Sequence, residues 1–312
     1  MYPRPVDWKL SLAGLLIGVL VGMTGMGGGS LMTPMLVFFF GFKPTMAIGT
    51  DILHGAIFKS FGAARHRQLG TVHARLTLWM LLASAPCSLL GVGLSTWLKH
   101  RYGDGFEDAA GVILGVALIA GGIGFAVKTF VAGRDKSDAP FLLSPTDRRI
   151  AILTGALGGF IVGLTSVGSG TFFGLVMLLV FPLTAAKVVG TDIFHAAALL
   201  WVAGAGHLAA GNVDLRATGW LLLGSIPGVL LGSQVSVNLP DRALRLGLAT
   251  TLTLSGIKLT EVPGGDVLIA VVLVVAVLLL CTVCVRRLTR GSARPTAAAA
   301  EAGATRTSGR FR

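Results

Sequence analysis

Asp51 and His54 stand three residues apart, and Asp192 and His195 repeat the spacing. Three residues is close to one helical turn, so each carboxylate shares a face with its imidazole. Both pairs fall in long apolar stretches, where an ionisable group is costly and is a functional candidate by default. Such a pair can pass a proton, with the histidine titrating near neutral pH. It can touch substrate or a cation, or the aspartate can simply cap its own helix just after Gly-Thr. Paired Asp-x-x-His segments also suggest a dimetal site. That site needs carboxylates from two further helices, and no other apolar run supplies one. No metal or other cofactor is expected.

The second candidate is Gly22-Met-Thr-Gly-Met-Gly-Gly-Gly-Ser30, and a shift of 141 residues lands on Gly163-Leu-Thr-Ser-Val-Gly-Ser-Gly-Thr171. Glycines so dense interrupt a helix and free backbone N–H groups. A second half-helix starting near Ser30 or Thr171 adds the positive end of its dipole. Backbone of this kind is tolerated at membrane depth only inside protein or beside a water-filled cavity. The predicted anion cradle is Thr24, Gly27, Gly28, Gly29, Ser30, Thr33 and Thr50 in one copy. In the other it is Thr165, Ser166, Gly168, Ser169, Gly170, Thr171 and Thr191. Lys59, inside an apolar helix, and Lys187, just before Val-Val-Gly-Thr-Asp, can neutralise an anionic substrate. A nucleotide-binding loop is a poor reading, since no βαβ pattern surrounds the glycines and no Gly-Lys-Ser/Thr follows. The competing structural reading is a glycine break that only kinks a helix. His66, His207, Arg75 and Arg216 read as loop anchors at helix ends.

The elements that must position these groups come in two copies. The same ungapped shift pairs Gly49-Thr50-Asp51-Ile52 with Gly190-Thr191-Asp192-Ile193, His66 with His207, and Pro86 with Pro227. Roughly a third of positions from Gly14 to Ser95 equal their partners, which marks a duplicated unit. Hydrophobic residues make up 53% of the 312 and charged residues 13%, too few to clothe a water-facing surface. Apolar runs near the ~20 residues that cross a bilayer recur, among them Ala109–Val127 and Val267–Val285. Half of the net charge of +12 sits in the tail after Val285, which is a positive-inside signal with affinity for anionic lipid rather than a nucleic-acid surface. Three cysteines (Cys87, Cys281 and Cys284) suit neither a disulfide scaffold nor a redox site. Leu10–Val21 resembles a signal peptide, but its copy at Ala151–Val162 lies mid-chain, so it is read as retained structure.

Each unit then reads as a glycine-spaced helix, a break, a half-helix of about ten residues (~15 Å), and three longer helices, with breaks expected at Pro86 and Pro227. With the basic tail inside, the loop at Leu208–Leu215 falls outside, whereas its counterpart Arg65-His66-Arg67 belongs inside. The copies therefore face opposite ways. The predicted fold is an all-α polytopic membrane protein of two inverted repeats, each a Gly-broken re-entrant helical hairpin plus three transmembrane helices. The first repeat covers 8–131, an inter-repeat loop 132–148, and the second repeat 149–260. An appended helix at 267–285 and a disordered basic cytoplasmic tail at 286–312 complete the chain.

The doubled order of glycine-spaced helix, Gly-rich turn, apolar half-helix, Ala/Val-x-Gly-Thr-Asp and His-x₃-Gly-x-Val resembles the TauE/SafE sulfite exporter family, from about Leu10 to Leu259. The resemblance implies a multi-pass permease of the bacterial inner membrane that exports sulfite or small organosulfonates. Asp51, where many members have serine, and the Ser-Val-Gly-Ser-Gly turn of the second copy bear on which anion is carried. The expectation is a secondary transporter working by alternating access, not an enzyme, with Asp51/His54 and Asp192/His195 coupling it to protons. Its expected partners are a small sulfur-containing anion, membrane lipid and a second copy in a homodimer. A channel-like anion pore and an uptake permease for another small oxyanion are the alternatives.

Overall fold

The computed structural model describes residues 8–24, 29–131, 142–168, 170–235 and 241–260, so the expected helix at 267–285 and the tail at 286–312 lie outside the described residues. Among the described residues there are ten helices and no strand. The first five are α1 (Trp8–Thr24), α2 (Gly29–Phe40), α3 (Pro44–Gln68), α4 (Ala74–Tyr102) and α5 (Asp104–Val131). Their counterparts are α6 (Pro145–Thr165), α7 (Phe172–Val180), α8 (Ala185–Ala209), α9 (Leu215–Val235) and α10 (Asp241–Leu259).

Local chemistry sets the helix starts. Pro44 and Pro145 occupy the first turn, where a missing N–H is harmless. Ser144 and Asp147 form a capping box, which carries α6 ahead of the repeat boundary expected at 149. His73 and Asp214 are repeat counterparts, and each accepts a backbone N–H in the first turn of the helix that follows it. The expected breaks at Pro86 and Pro227 do not occur: α4 and α9 run through both. Each proline removes one backbone hydrogen bond. Ending the helix in apolar surroundings would orphan several groups with no water to take them up.

Swapping the two repeats preserves the main helix pairings. α1 lies on α9 as α6 lies on α4, α2 touches α10 as α7 touches α5, and α3 packs on α8 and α5 on α10. Directions follow from which residues meet. Gly55 abuts Leu200, Gly62 abuts Ile193 and Gly204 abuts Leu53, so α3 and α8 are antiparallel. Gly115 faces Gly256 while Gly122 faces Ala249, so α5 and α10 are antiparallel as well. Gly14 and Gly18 meet Leu221 and Ser225, and Gly155 and Gly159 meet Met80 and Ser84, so those pairs are parallel. Hydrogen bonds of Thr50 and His54 to the start and middle of α9 align α3 with α9. Thus α1, α9 and α3 run one way, and α6, α4 and α8 run the other. Between α1 and α3 the chain must come back through α2, and between α6 and α8 through the nine residues of α7.

Among the described residues, four helices are long and apolar enough to cross a bilayer: α4, α8, and the spans Asp104–Gly124 and Pro145–Thr165. Leu78, Leu82 and Leu90 on α4 and Leu223 and Leu230 on α9 are exposed, as lipid-facing leucines should be. The chain is a multi-pass membrane protein. Glycine sets how closely its helices approach, as small residues do in membranes. A Cβ at Gly155 would overlap the Met80 carbonyl, whereas Gly93 faces open space. Gly155→Val is therefore expected to lower stability by about 1–3 kcal/mol, and Gly93→Ala to be neutral or slightly stabilising. Thermal unfolding of both variants in detergent tests the contrast, and equal melting temperatures would refute it.

Candidate functional site

Asp51 and Asp192 do not cap their helices. α3 opens after Lys43 and α8 after Thr184, which leaves both aspartates two turns inside. The helices begin earlier than the apolar pattern suggests because Pro44 and the Thr184 hydroxyl start them. Both side chains are buried, at 1% and 4% exposure. Asp51 Oδ2 accepts hydrogen bonds from the hydroxyls of Thr33 on α2 and Ser166 at the end of α6, the latter at 2.8 Å. Asp51 Oδ1 has no hydrogen-bond partner. Asp192 Oδ1 accepts the backbone N–H of Gly170 at 3.3 Å. The α6–α7 turn thus reaches both carboxylates, Ser166 touching the first and Gly170 the second.

The histidines are held across the repeats. His54 Nε2 meets Ser225 Oγ at 2.8 Å, and His195 Nε2 meets Ser84 Oγ at 2.9 Å. Ser84 and Ser225 are counterparts under the same 141-residue shift, the signal that could have found them. Aromatic rings pack the other side: Phe58 stacks on His54, and Phe173 meets His195 edge-on at 4.4 Å. Thr50 and Thr191, expected to touch substrate, accept the backbone N–H groups of Asp214 and His73 and so tie each helix to the opposite repeat. Thr165 donates to the Ile161 carbonyl and accepts from Val167 N.

The second break is a tight turn. Ser166 has φ +63°, and Gly168 and Gly170 have φ +141° and +87°. The Gly168 carbonyl accepts the N–H groups of Phe172 and Phe173, which starts α7. Thr165, Gly168 and Thr171 border a half-open cavity of about 350 Å³ that α5 lines with Gly121 and Ala117. His207, in the last turn of α8, is buried with Nε2 donating to the Gly163 carbonyl at 2.9 Å, so it ties the end of α6 to α8. His66 instead pairs with Thr71 in the turn after α3. Gly27, Gly28 and Ser169 lie outside the described residues, as do the side chains of Thr24, Gly29 and Ser30.

Lys59 is buried, at 4% exposure, while Lys187 is half-buried in the first turn of α8. Lys59 interacts electrostatically with Asp192 foremost and with Asp51 next. The sequence pattern did not single out Glu107, a buried carboxylate that accepts from Thr45 N and Thr45 Oγ1 at the start of α3 and lies 3.9 Å from Lys99. It has no repeat signal to betray it, since its counterpart is Leu248.

A duplicated, membrane-embedded bundle with paired breaks and buried carboxylates has clear relatives. The profile of the sulfite exporter TauE/SafE family matches residues 10–259. The chain belongs to the TauE/SafE family. It is 38% identical over 252 residues to the Bacillus subtilis (strain 168) "Probable membrane transporter protein YjnA", covering 80% of this chain and 98% of that one. YdhB of the same organism, carrying the same description, is 22% identical over 244 residues, covering 78% and 96%. No solved structure matches. This TauE/SafE protein is a membrane transporter.

Proposed function

We propose that this transporter exports sulfite or a small organosulfonate across the bacterial inner membrane by alternating access between two inverted repeats. The antiparallel packing of α3 on α8 and of α5 on α10 supports the inversion. Helices related by an axis along the membrane normal would meet parallel, and those related by an axis in its plane meet antiparallel. The return of the chain through α2 and α7 supports re-entrant hairpins, because nine residues of helix span only ~14 Å.

One observation carries the anion reading: the Gly170 N–H already donates to a buried carboxylate oxygen. The break presents amides to anionic oxygen beside the N-terminal end of α7, and a sulfonate or sulfite offers three such oxygens. Ser166, Gly168, Ser169, Gly170 and Thr171 hold the anion in this repeat, and Thr24, Gly27, Gly28, Gly29 and Ser30 serve the same role in the other. The cavity beside Thr165 and Thr171 receives the carbon portion of an organosulfonate. Lys59 offsets negative charge in the interior, and Lys187 neutralises the anion at the entrance to α8. The Asp51/His54 and Asp192/His195 pairs couple its movement to protons.

Purified protein in liposomes, given labelled sulfite, sulfoacetate and taurine, tests the reading. The expected result is saturable flux with counterflow, accelerated by an imposed pH gradient. Flux that rises linearly with concentration and shows no counterflow would establish a pore, and no flux of any of the three would remove sulfur oxyanions as substrates.

A further inference from the structure

The repeats match in helix order and poorly in charge, and the mismatch assigns different duties to the two aspartates. Lys59 has Leu200 as its counterpart, Ser166 has Gly25 and Thr33 has Gly174. The one buried lysine among the described residues therefore serves two equivalent carboxylates and cannot serve them equally. On α3, Asp51 lies eight residues from Lys59, about 12 Å along the axis. Ile193 abuts Gly62, which brings Asp192 to within about a turn of Lys59. Asp192 also receives the Gly170 amide at the start of α7, where a helix favours negative charge. Lysine, amide and helix terminus all suit an ionised carboxylate.

Asp51 is served less well, since Lys59 interacts with Asp192 first and with Asp51 second. Its two donors are neutral hydroxyls, both spent on Oδ2, and Oδ1 is bare at 1% residue exposure. A buried acceptor left unpaired costs the full desolvation of that group, more so when charged. The ionisable groups on the elements packed against α3 do not relieve it. His54 and His195 are engaged by Ser225 and Ser84, and His207 by Gly163. Glu107 is bound to Thr45, and Asp214 caps α9. The described parts of α2, α6 and α7 near the site bring no ionisable side chain.

We infer that Asp51 is the single proton-carrying carboxyl of the transport cycle, holding the proton on Oδ1, and that Asp192 stays ionised as the fixed partner of Lys59. The inference rests on the proton-coupled reading above and narrows it from both aspartate–histidine pairs to Asp51. One proton, not two, then moves per cycle. Ser166, the one described non-glycine residue with positive φ, hydrogen-bonds this carboxyl from the second break. Loss of the proton from Asp51 therefore acts directly on the turn that holds the anion.

The test is infrared spectroscopy of the purified full-length protein in detergent near neutral pH, read in the C=O stretching region of protonated carboxylic acids, in H₂O and D₂O. Wild type is expected to show a protonated-carboxyl component that Asp51→Asn removes. The double variant Asp192→Asn/Lys59→Leu, which deletes the fixed pair together, is expected to keep it. A component that survives Asp51→Asn, or that disappears only in the double variant, overturns the assignment. If the double variant does not fold, the comparison of Asp51→Asn with wild type decides alone. No substrate is needed, so a protein that carries no sulfonate can still confirm the proton site, and a failed spectrum leaves the anion reading standing.

Discussion

Lys59→Leu is expected to strip several kcal/mol from the fold and to abolish anion flux, although leucine already occupies the counterpart position 200. Shape is not the obstacle, since Leu200 sits in the same helix pair against Gly55. Charge is. Among the described residues Lys59 is the one buried lysine or arginine, and it shares the interior with Asp51 and Asp192. Removing one member of a buried ion pair leaves the other charged and unsolvated, which typically costs about 3–5 kcal/mol. Lys59→Arg keeps the charge and is expected to retain most of the stability. Lys59→Leu/Asp192→Asn removes both charges and is expected to recover much of the loss. Thermal unfolding in detergent separates the three, and a Lys59→Leu variant as stable as wild type would show that the lysine is not paired in the interior.

The parts of this site legible in the sequence are those that duplication writes twice. Asp51/His54 and Asp192/His195 declare themselves by spacing within apolar helices, and the glycine breaks by their density. Their surroundings were harder to read, because the first helix of each repeat packs on the fourth helix of the other. That exchange brings Ser225 to His54 and Ser84 to His195, and no local pattern on α3 or α8 announces it. Capping was a fair expectation for an aspartate after Gly-Thr. It fails because Pro44 and Thr184 start the helices two turns earlier, which converts a terminal group into a buried one. The hydroxyls of Thr50 and Thr191 were expected in the cradle, but each lies level with the first residues of a neighbouring helix and accepts an amide there. Glu107 was invisible for the opposite reason: it occurs once, near a helix start where acidic residues are common.

Gly170→Val is expected to weaken sulfonate binding by about 10–100-fold, the equivalent of losing one hydrogen bond to a charged group. The residue has φ +87°, a conformation that costs a side-chain-bearing residue on the order of 1–2 kcal/mol. The strain would rotate the turn and withdraw the N–H that now meets Asp192. Gly168→Leu should act in the same direction. It combines φ +141° with a Cβ only 2.9 Å from the Val162 side chain, and it disturbs the carbonyl that starts α7. Strain alone could lower binding through general loosening, so the control must carry equal strain elsewhere. Gly70 and Gly211 supply it, with φ +68° and +71° and nothing within 4 Å of an added Cβ, in the turns that follow α3 and α8. Gly70→Ala and Gly211→Ala are expected to lower the melting temperature modestly and leave the dissociation constant unchanged. Binding measured by calorimetry on all four variants decides the matter. If the turn controls weaken binding as much as Gly170→Val does, the break is a hinge and its amides are not the anion's ligands.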